Sequence, residues 1–466
     1  EEMRRLFGIG RRAWGVGGGR RALCSDRGAE PTVSIDRSKL RLLPEDDKDI
    51  PDQPDDTELT KHLKRVMQIR GPVTVAQYMR EALLNAKYGY YTQASHPVFG
   101  TRGDFITAPE ISQAFGELLA IWALQSHLQT TPTGACMNVV ELGPGRGTLA
   151  HDVLRTLTSS GALKSNLELH LVEASPALQR KQAEKLQCKE SDVAHMHEKG
   201  IEEPERERRL QEGALTAAGV RTRWYKSVHH LQATGPVQVI AQELFDALPV
   251  HVLEYTAQGW REVLVDVDPE RADGRAFKHV LSPGPTVASR TLEKDGKALS
   301  MGNQDLPDVG TRLEVSLDAM ALAQDIAITV AKNKGSAIIV DYGEDFALQD
   351  SIRAIRNHKY EHIFERPGEA DLSAYVDFSA LRNCLSAIPE EHKVFIHGPV
   401  TQANLLRELG IEPRMISLLA AIGDDDAKAA PLVSGYERLV GADEMGMIYK
   451  AMAVSSSAGP MYGFPQ

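Results

Sequence analysis

The stretch that most constrains the fold is residues 138–148, NVVELGPGRGT, in which an apolar run gives way to three glycines at alternate positions. The apolar residues suit a buried strand, and Gly143, Gly145 and Gly147 remove side chains where the chain must turn sharply. The helix predicted to begin at Thr148 directs its free N–H groups and the positive end of its dipole above the turn. This order predicts a binding site for a carboxylate, a phosphate or a ribose, and the alternative is a plain tight connection.

The glycine spacing separates two classes of cofactor. A dinucleotide fingerprint needs a third small residue in the pattern G-x-G-x-x-G, and here Thr148 stands at that position. The sequence instead has E-x-G-x-G-x-G, beginning at Glu141, which resembles the first motif of class I S-adenosylmethionine-dependent methyltransferases. Glu141, Gly143, Gly145 and Gly147 are therefore the candidate cofactor-binding residues of this motif.

A second apolar strand is predicted over residues 167–174, LELHLVEA, and it ends with Glu173. A carboxylate at the carboxyl end of this strand can accept hydrogen bonds from both hydroxyls of a ribose, in methyltransferases and in dinucleotide enzymes alike. Glu173 is therefore a further candidate cofactor-binding residue. The alternative is a solvated carboxylate at the end of a strand.

A third strand, residues 237–240, opens directly into AQELFDALP, which carries Glu243 and Asp246. Because parallel strands of an open sheet deliver the residues after their carboxyl ends to one crevice, both carboxylates should face the cleft of Gly143 and Glu173. The alternative is that they are helix N-terminal carboxylates stabilised by the helix dipole.

Composition narrows the function further. The chain has 466 residues, 42% hydrophobic composition and a formal net charge of −11, which argues against a nucleic-acid protein that depends on neutralising phosphates. The apolar runs fall short of membrane-spanning length. The four cysteines are widely scattered without CxxC pairs, which predicts reduced thiols and no metal site.

The N-terminal region differs in composition from the rest. Residues 1–28 contain seven arginines and few acidic residues, which predicts a mitochondrial transit peptide, with a disordered basic tail as the alternative. Residues 29–60 combine prolines with an acidic run and are predicted to be a linker.

The rest of the chain alternates strand and helix patterns with long crossovers, which predicts an α/β protein with a mostly parallel, Rossmann-like sheet covered by helices on both faces. Thr107 and Glu110 predict a capping box in the region before the sheet. The predicted parts are a helical N-terminal region (61–135), the first part of the core (136–249), an inserted subdomain of antiparallel strands (250–335), the second part of the core (336–453) and a tail (454–466).

Five segments together resemble a known family. RGDFITAPEISQAFGE, ELGPGRGTLAHDVLR, QELFDALPVH, IIVDYGE and RPGEADLSAYVDFS occur in this order and are similar to the MidA family over roughly residues 60–450. The resemblance implies the class I methyltransferase fold and S-adenosylmethionine as cofactor. Its mitochondrial members are protein-arginine methyltransferases that act in the assembly of respiratory complex I. By resemblance we expect a matrix enzyme that symmetrically dimethylates a core complex I subunit, while the oligomeric state stays open.

The chemistry of arginine methylation agrees with the two carboxylates. A guanidinium group stays protonated in proteins, so this cation must be brought close to the sulfonium cation of the cofactor. Carboxylates offset that repulsion and orient the guanidinium nitrogens. Glu243 is our first candidate for this contact and Asp246 the second. The alternatives are an assembly chaperone with a vestigial cofactor site and an NAD(P)-dependent oxidoreductase.

Overall fold

The computed structural model of the protein describes residues 56–92, 106–131, 134–159, 166–270, 274–294, 307–357 and 359–465. The predicted transit peptide and almost all of the predicted linker lie outside these residues. Residues Pro51–Gln466 form one compact unit.

The strands are β1 (Val73–Thr74), β2 (Met137–Leu142), β3 (Leu167–Val172), β4 (Ala214–Leu215), β5 (Arg221–Tyr225), β6 (Val237–Gln242), β7 (His251–Thr256), β8 (Gly259–Val267), β9 (Phe277–Leu281), β10 (Arg312–Val315), β11 (Ser336–Glu344), β12 (Arg353–Arg356), β13 (Lys359–Glu361), β14 (Asp371–Ser373), β15 (Val376–Asp377), β16 (Phe395–Thr401) and β17 (Tyr449–Ser455). The α-helices are α1 (Glu58–Arg70), α2 (Val75–Leu84), α3 (Ala108–Ile111), α4 (Gln113–Thr130), α5 (Thr148–Ser159), α6 (Pro176–Lys185), α7 (Glu190–Met196), α8 (Glu203–Glu212), α9 (Val287–Lys294), α10 (Leu317–Asn333), α11 (Phe378–Ser386), α12 (Gln402–Glu408), α13 (Ile411–Ile422), α14 (Asp426–Val440) and α15 (Met445–Ile448).

The main sheet has the strand order β16-β17-β11-β6-β2-β3-β5-β4. The central strands β11, β6, β2, β3 and β5 are parallel, whereas β17 runs antiparallel to both of its neighbours. The chain runs outward from β2 through β3 and β5 and then returns to β6, on the other side of β2. The strand order therefore reverses between β2 and β6, which is where open α/β sheets bind their ligands. The predicted mostly parallel α/β fold is confirmed.

Helices cover both faces of this sheet, as a buried parallel sheet requires. Every residue of β2 and β6 is buried. On one face, α10 and α11 pack their apolar residues against the central strands, with Ile326, Ala327 and Phe378 fully buried. On the other face, α4 contacts β6 and β11.

A second, antiparallel sheet has the order β1-β8-β7-β10, with β9 also paired to β8. Two contacts cross the boundaries of the inserted subdomain predicted over residues 250–335. Strand β1 belongs to the N-terminal region, yet it pairs with β8. Helix α10 lies within the predicted interval, yet it packs on the main sheet. We propose that the second sheet and the leader helices α1 and α2 form one cap, since Leu63 and Tyr78 share a core with Val263 and Phe277.

The predicted capping box is wrong. Thr107 is the N-cap residue of α3, but its side chain makes no capping hydrogen bond. The helix also ends early, because Ser112 adopts an extended conformation and caps a new helix, α4, by accepting the N–H of Ala114 at 3.3 Å. The segment is therefore two helices with a break at Ser112.

Two predicted boundaries also move. The linker ends before residue 60, because Thr57 caps α1 by accepting the N–H of Thr60 at 3.1 Å. The apolar segment MGMIYKAMA, residues 445–453, predicts a last strand from Met445, but this strand begins at Tyr449, since residues 445–448 form the short helix α15.

Candidate functional site

The glycine turn follows β2 as predicted. Gly143, Gly145 and Gly147 have φ angles of 62°, 50° and 81°, in the left-handed region that favours glycine. A Cβ atom on Gly143 would lie 2.8 Å from Cδ1 of Leu244, and one on Gly147 would lie 3.3 Å from Cα of Gln182. The turn therefore packs closely against the loop after β6 and against helix α6. Side chains at Gly143 and Gly147 would displace these two elements.

Glu141 anchors the helix that follows this turn. Its side chain is buried near the end of β2 and accepts a hydrogen bond from the N–H of Ala150, in the first turn of α5. Burial raises the pKa of Glu141 to about 8. The structure thus directs this carboxyl group to the N-terminus of α5, and a direct contact with the cofactor stays a prediction.

Glu173 lies at the carboxyl end of β3, beside the same turn. Its Oε1 accepts the N–H of Ser175 at 2.7 Å, and its Oε2 accepts Nε2 of Gln182 at 3.2 Å. Burial raises the pKa of Glu173 to about 7, although these hydrogen bonds oppose the rise. The carboxyl group is therefore held in a fixed orientation close to the glycine turn.

Gln182 is a residue of this site that sequence reasoning missed, because residues 175–220 looked like an exposed charged helix with a mobile insertion. Its Nε2 also donates to the carbonyl of Gly145 at 2.8 Å, and its Oε1 accepts the indole N–H of Trp224 at 2.9 Å. One amide thus joins Glu173 to the glycine turn. The sequence feature that could have identified Gln182 is the helical spacing of Gln179, Gln182 and Leu186. All three residues are buried in the structure.

Glu243 occupies a strained position directly after β6. Its φ angle is 48°, which is uncommon for a residue with a side chain. Its Oε1 accepts the N–H of Ala108 at 2.9 Å and Nε2 of Gln242 at 2.8 Å. Burial raises the pKa of Glu243, and these two hydrogen bonds oppose the rise.

Asp246 lies in the same loop, so the structure brings the two predicted carboxylates to one strand end. Burial raises the pKa of Asp246 to about 7, and the nearby charge of Glu243 adds to this effect. A hydrogen bond with the side chain of Tyr342 lowers the pKa of Asp246 and partly offsets these two effects. Tyr342 in turn packs against Tyr449, with ring centroids 5.7 Å apart.

Asp341 holds this loop in place, and the sequence indicated it only as the end of a strand. It is fully buried near the end of β11. Its Oδ2 accepts the backbone N–H groups of Leu244 at 3.0 Å, Phe245 at 2.8 Å and Asp246 at 3.4 Å. Burial and the charges of Asp246 and Glu243 raise the pKa of Asp341, whereas the backbone N–H groups lower it. The sequence feature that could have identified Asp341 is its position as a carboxylate directly after the apolar run in IIVDY.

A fourth carboxylate, Asp371 at the start of β14, completes what we term the acidic cluster, which consists of Glu243, Asp246, Asp341 and Asp371. Asp371 is 5% exposed and accepts the hydroxyl of Tyr91 at 2.9 Å. Residues 88–91, YGYY, carry tyrosines that could line the mouth of a site, although the sequence favours core packing for any one of them. Tyr90 is buried in the core and Tyr91 reaches the acidic cluster.

Comparison with known proteins identifies the family. A family described as S-adenosyl-L-methionine-dependent methyltransferase matches residues 118–396, which is more than half of the chain. The chain belongs to this MidA-like methyltransferase family. The cofactor of this methyltransferase is therefore S-adenosylmethionine and not a dinucleotide, and its binding at the glycine turn stays a prediction.

Named relatives cover most of the methyltransferase. The mitochondrial protein arginine methyltransferase NDUFAF7 of Danio rerio is 37% identical over 406 residues, covering 86% of this chain and 87% of its own. The human protein of the same name is 35% identical over 405 residues, covering 85% and 83%. A Burkholderia thailandensis protein solved with S-adenosylhomocysteine has a TM-score of 0.67 and 24% identity, covering 88% of this chain and 94% of its own, and it shares the fold.

The residues around the turn fit S-adenosylmethionine. Glu173 presents a fixed carboxyl group at the end of β3, and the glycine turn places backbone without side chains directly before the N-terminus of α5. Among the described residues, no group of three or more His, Cys, Asp or Glu side chains is arranged to hold a metal ion. The described part of the methyltransferase also has no helix long and apolar enough to cross a membrane.

Replacing Glu173 by Ala should weaken S-adenosylmethionine binding at least about tenfold, because the two hydrogen bonds that we expect its carboxylate to accept from the ribose would be lost. Isothermal titration calorimetry measures this change. Glu184→Ala, on the exposed side of α6, is the matched control and should bind normally. An unchanged Kd for Glu173→Ala would remove Glu173 from the cofactor site.

Proposed function

We propose that the protein is a mitochondrial protein arginine N-methyltransferase, which methylates a guanidino nitrogen of a protein substrate. The observation that carries this proposal is the acidic cluster beside the glycine turn. The acceptor itself is inferred from the names of relatives that are 35–37% identical to this chain.

The acidic cluster suits a guanidinium group because it concentrates negative charge away from water. At about 4 Å and an effective dielectric constant of about 20, each contact between unit charges contributes on the order of 4 kcal/mol before desolvation costs. Without a bound cation, the carboxylates repel one another, and this repulsion contributes to the raised pKa of Asp246. A substrate cation would remove that repulsion.

Gln242 offers a further contact for the substrate. Its side chain is 8% exposed, and its Oε1 has no hydrogen-bond partner among the described residues. A buried acceptor without a partner is costly, so a ligand N–H at this position is favourable. The amide lies next to Glu243, to which its Nε2 donates. We propose that Gln242 accepts one N–H of the guanidinium that Glu243 binds.

Transfer also requires that a proton leave the nitrogen. S-adenosylmethionine supplies the methyl group, carried on a sulfonium. Glu243 holds the guanidinium and orients one nitrogen for in-line attack. Asp246, whose pKa of about 7 lies close to neutral pH, is suited to accept the released proton. Both assignments are part of the proposal.

The finer substrate assignment is also a proposal. By family resemblance, the substrate is a core subunit of respiratory complex I in the mitochondrial matrix, and the product is symmetric dimethylarginine. The relatives named above are mitochondrial, which supports the compartment.

The test combines the purified full chain, methyl-labelled S-adenosylmethionine and an extract of mitochondria that lack the protein, with Glu173→Ala as the control. Mass spectrometry then locates the label. Label on an arginine of a complex I subunit, absent with Glu173→Ala, supports the whole proposal. Label on another residue type overturns the arginine acceptor. Absence of label, although the protein is folded and binds cofactor, would favour an assembly chaperone with a vestigial site.

Activity should rise with pH. The folded pKa of Asp246 is raised from its ordinary 3.8 to about 7, so below pH 7 its carboxyl group is protonated and cannot accept the proton that the substrate nitrogen releases. We expect kcat/KM to increase about tenfold per pH unit up to about pH 7 and then to level off. Stability should change in the opposite direction, because the contribution of this group is complete below pH 3.8 and is lost as pH rises through 7.

The pH dependence has its own control. In Asp246→Asn, the remaining activity should lose the inflection near pH 7. Initial rates from pH 5.5 to 9 at low substrate concentration measure it. An identical inflection in this variant would assign the titration to another group.

A further inference from the structure

The small sheet that carries Asp371 has two different faces. Its strand order is β13-β12-β14, and all pairs are antiparallel. Ile355 on the middle strand lies opposite Asp371 on one side and opposite Tyr360 on the other. Directly opposite residues point to the same side of an antiparallel sheet. Asp371, Ile355 and Tyr360 therefore form one row across the sheet, which we term the hairpin face.

The opposite face of this sheet is committed to the core. Ala354 and Leu372, which lie opposite each other, are 1% and 2% exposed and pack with the leader helices. The hairpin face therefore points away from that core. It begins at Asp371, which is 5% exposed within the acidic cluster, and ends at Tyr360, which is 66% exposed. The row thus runs from the proposed arginine site to the protein surface.

Aromatic side chains connect the two ends. The ring of Tyr342, the neighbour of Asp246, lies 4.9 Å from that of Tyr375 in a perpendicular arrangement. Burial raises the pKa of Tyr375, and Tyr360 adds to this effect because it is close by. Tyr360 is one of the few large apolar side chains among the described residues that are more than half exposed. Tyr360 therefore offers an exposed aromatic ring at the outer end of the row.

We infer that the hairpin face binds an extended segment of the protein substrate whose target arginine occupies the acidic cluster. This inference rests on the proposed function. Neighbouring strands are about 4.8 Å apart, so Tyr360 lies about 10 Å from Asp371 along the face. An extended chain covers that distance in about three residues. The face therefore selects an apolar side chain about three residues from the target arginine.

The charged residues of the hairpin face favour an apolar substrate residue beside Tyr360 over a basic substrate residue in addition to the target arginine. Arg353, opposite Ser373, lies on the same face. Its guanidinium donates to the carbonyls of Ile352 at 2.8 Å and Asp350 at 2.9 Å. Arg353 also pairs with the exposed carboxylate of Asp350 at 3.4 Å, so this part of the face is nearly balanced in charge and gives a basic substrate residue little attraction. An apolar side chain gains by covering the ring of Tyr360.

The test uses the full chain and a series of peptides. Each peptide has one arginine at a fixed position in a glycine- and serine-rich background. A single leucine is placed at a different position in each peptide, from five residues before the arginine to five residues after it. Methylation by the unaltered chain should be fastest with the leucine about three residues from the arginine, on one side. Tyr360→Ser should lower kcat/KM for that peptide about tenfold, mainly through KM, and should abolish the positional preference. Leu128→Ser, at a side chain 60% exposed on α4, is the matched control and should keep both.

A second measurement distinguishes failure of this inference from failure of the proposed function. With Tyr360 replaced by the photoreactive residue p-benzoylphenylalanine, irradiation in the mitochondrial extract should cross-link peptides that carry an arginine about three residues from the attachment point, whereas the same replacement at Leu128 should not. Equal methylation by Tyr360→Ser and by the unaltered chain, at every leucine position, would overturn the hairpin face. Absence of arginine methylation in both the extract and the peptides would overturn the proposed function. If the cross-linked peptides lack an arginine about three residues from the attachment point, the hairpin face is overturned and the proposed function stands.

Discussion

Replacing Glu243 by Gln is expected to lower kcat at least about a thousandfold while the Kd for S-adenosylmethionine changes less than about twofold. The amide oxygen of Gln keeps the hydrogen bond that Oε1 now accepts from Ala108, so the loop keeps its conformation. The negative charge that would hold the guanidinium is lost, and charge stabilisation within a buried site is worth several kcal/mol in the transition state. Single-turnover transfer rates and calorimetry measure the two quantities.

The control for this variant is Glu184→Gln, an equal change of charge on an exposed part of α6. It should leave both kcat and Kd unchanged. If Glu243→Gln transfers methyl groups at the normal rate, Glu243 does not bind the guanidinium. Asp246→Asn then becomes the decisive variant for that role.

Replacing Asp341 by Asn should lower kcat/KM about a hundredfold and the free energy of unfolding by about 2–3 kcal/mol. The side chain keeps its size, but its NH2 group replaces one carboxylate oxygen. The remaining oxygen cannot serve both the Oδ2 contacts to Leu244 and Phe245 and the Oδ1 contact to Tyr342. A buried N–H without its acceptor costs about 1–3 kcal/mol. The loop that carries Glu243 then loses its fixed conformation.

A loss of activity in this variant has to be separated from a loss of folding. Activity should be measured at a temperature and denaturant concentration where circular dichroism shows the variant folded. Glu262→Gln provides the comparison, since Glu262 is a buried carboxylate, 1% exposed, that contacts His251 in the second sheet at 2.6 Å. It should lose stability but keep kcat/KM. Equal activity losses in both variants would show that Asp341 acts only through stability.

The parts of the site that sequence reasoning predicted depend on local geometry. Three glycines at alternate positions after an apolar strand require a tight turn whatever the rest of the chain does, and the structure has that turn. Glu243 and Asp246 were found by a general property of parallel sheets, because residues just after the strand ends meet at one edge. Both predictions used fewer than a dozen consecutive residues.

The parts that were missed depend on contacts distant in sequence. Asp341 accepts hydrogen bonds from residues 95 to 97 positions away, and strand β1 pairs with a strand almost two hundred residues later. Neither partner can be identified from a local pattern. Gln182 was missed because the charged residues around it dominate the composition of α6. The break at Ser112 was missed because a serine inside a helical pattern does not show which backbone N–H it will cap.

The acidic cluster has a consequence for how the chain folds. Glu243 contacts Ala108, Asp246 lies in the loop held by Asp341, and Asp371 contacts Tyr91, so these contacts span up to 280 residues. Closing such long loops is entropically costly and slows folding, whereas the glycine turn and its flanking elements are nearly local. A polypeptide that ends before residue 371 can form the turn but lacks one wall of the cluster. The proposed binding site for a substrate arginine is therefore completed late, once the polypeptide as far as Asp371 has folded.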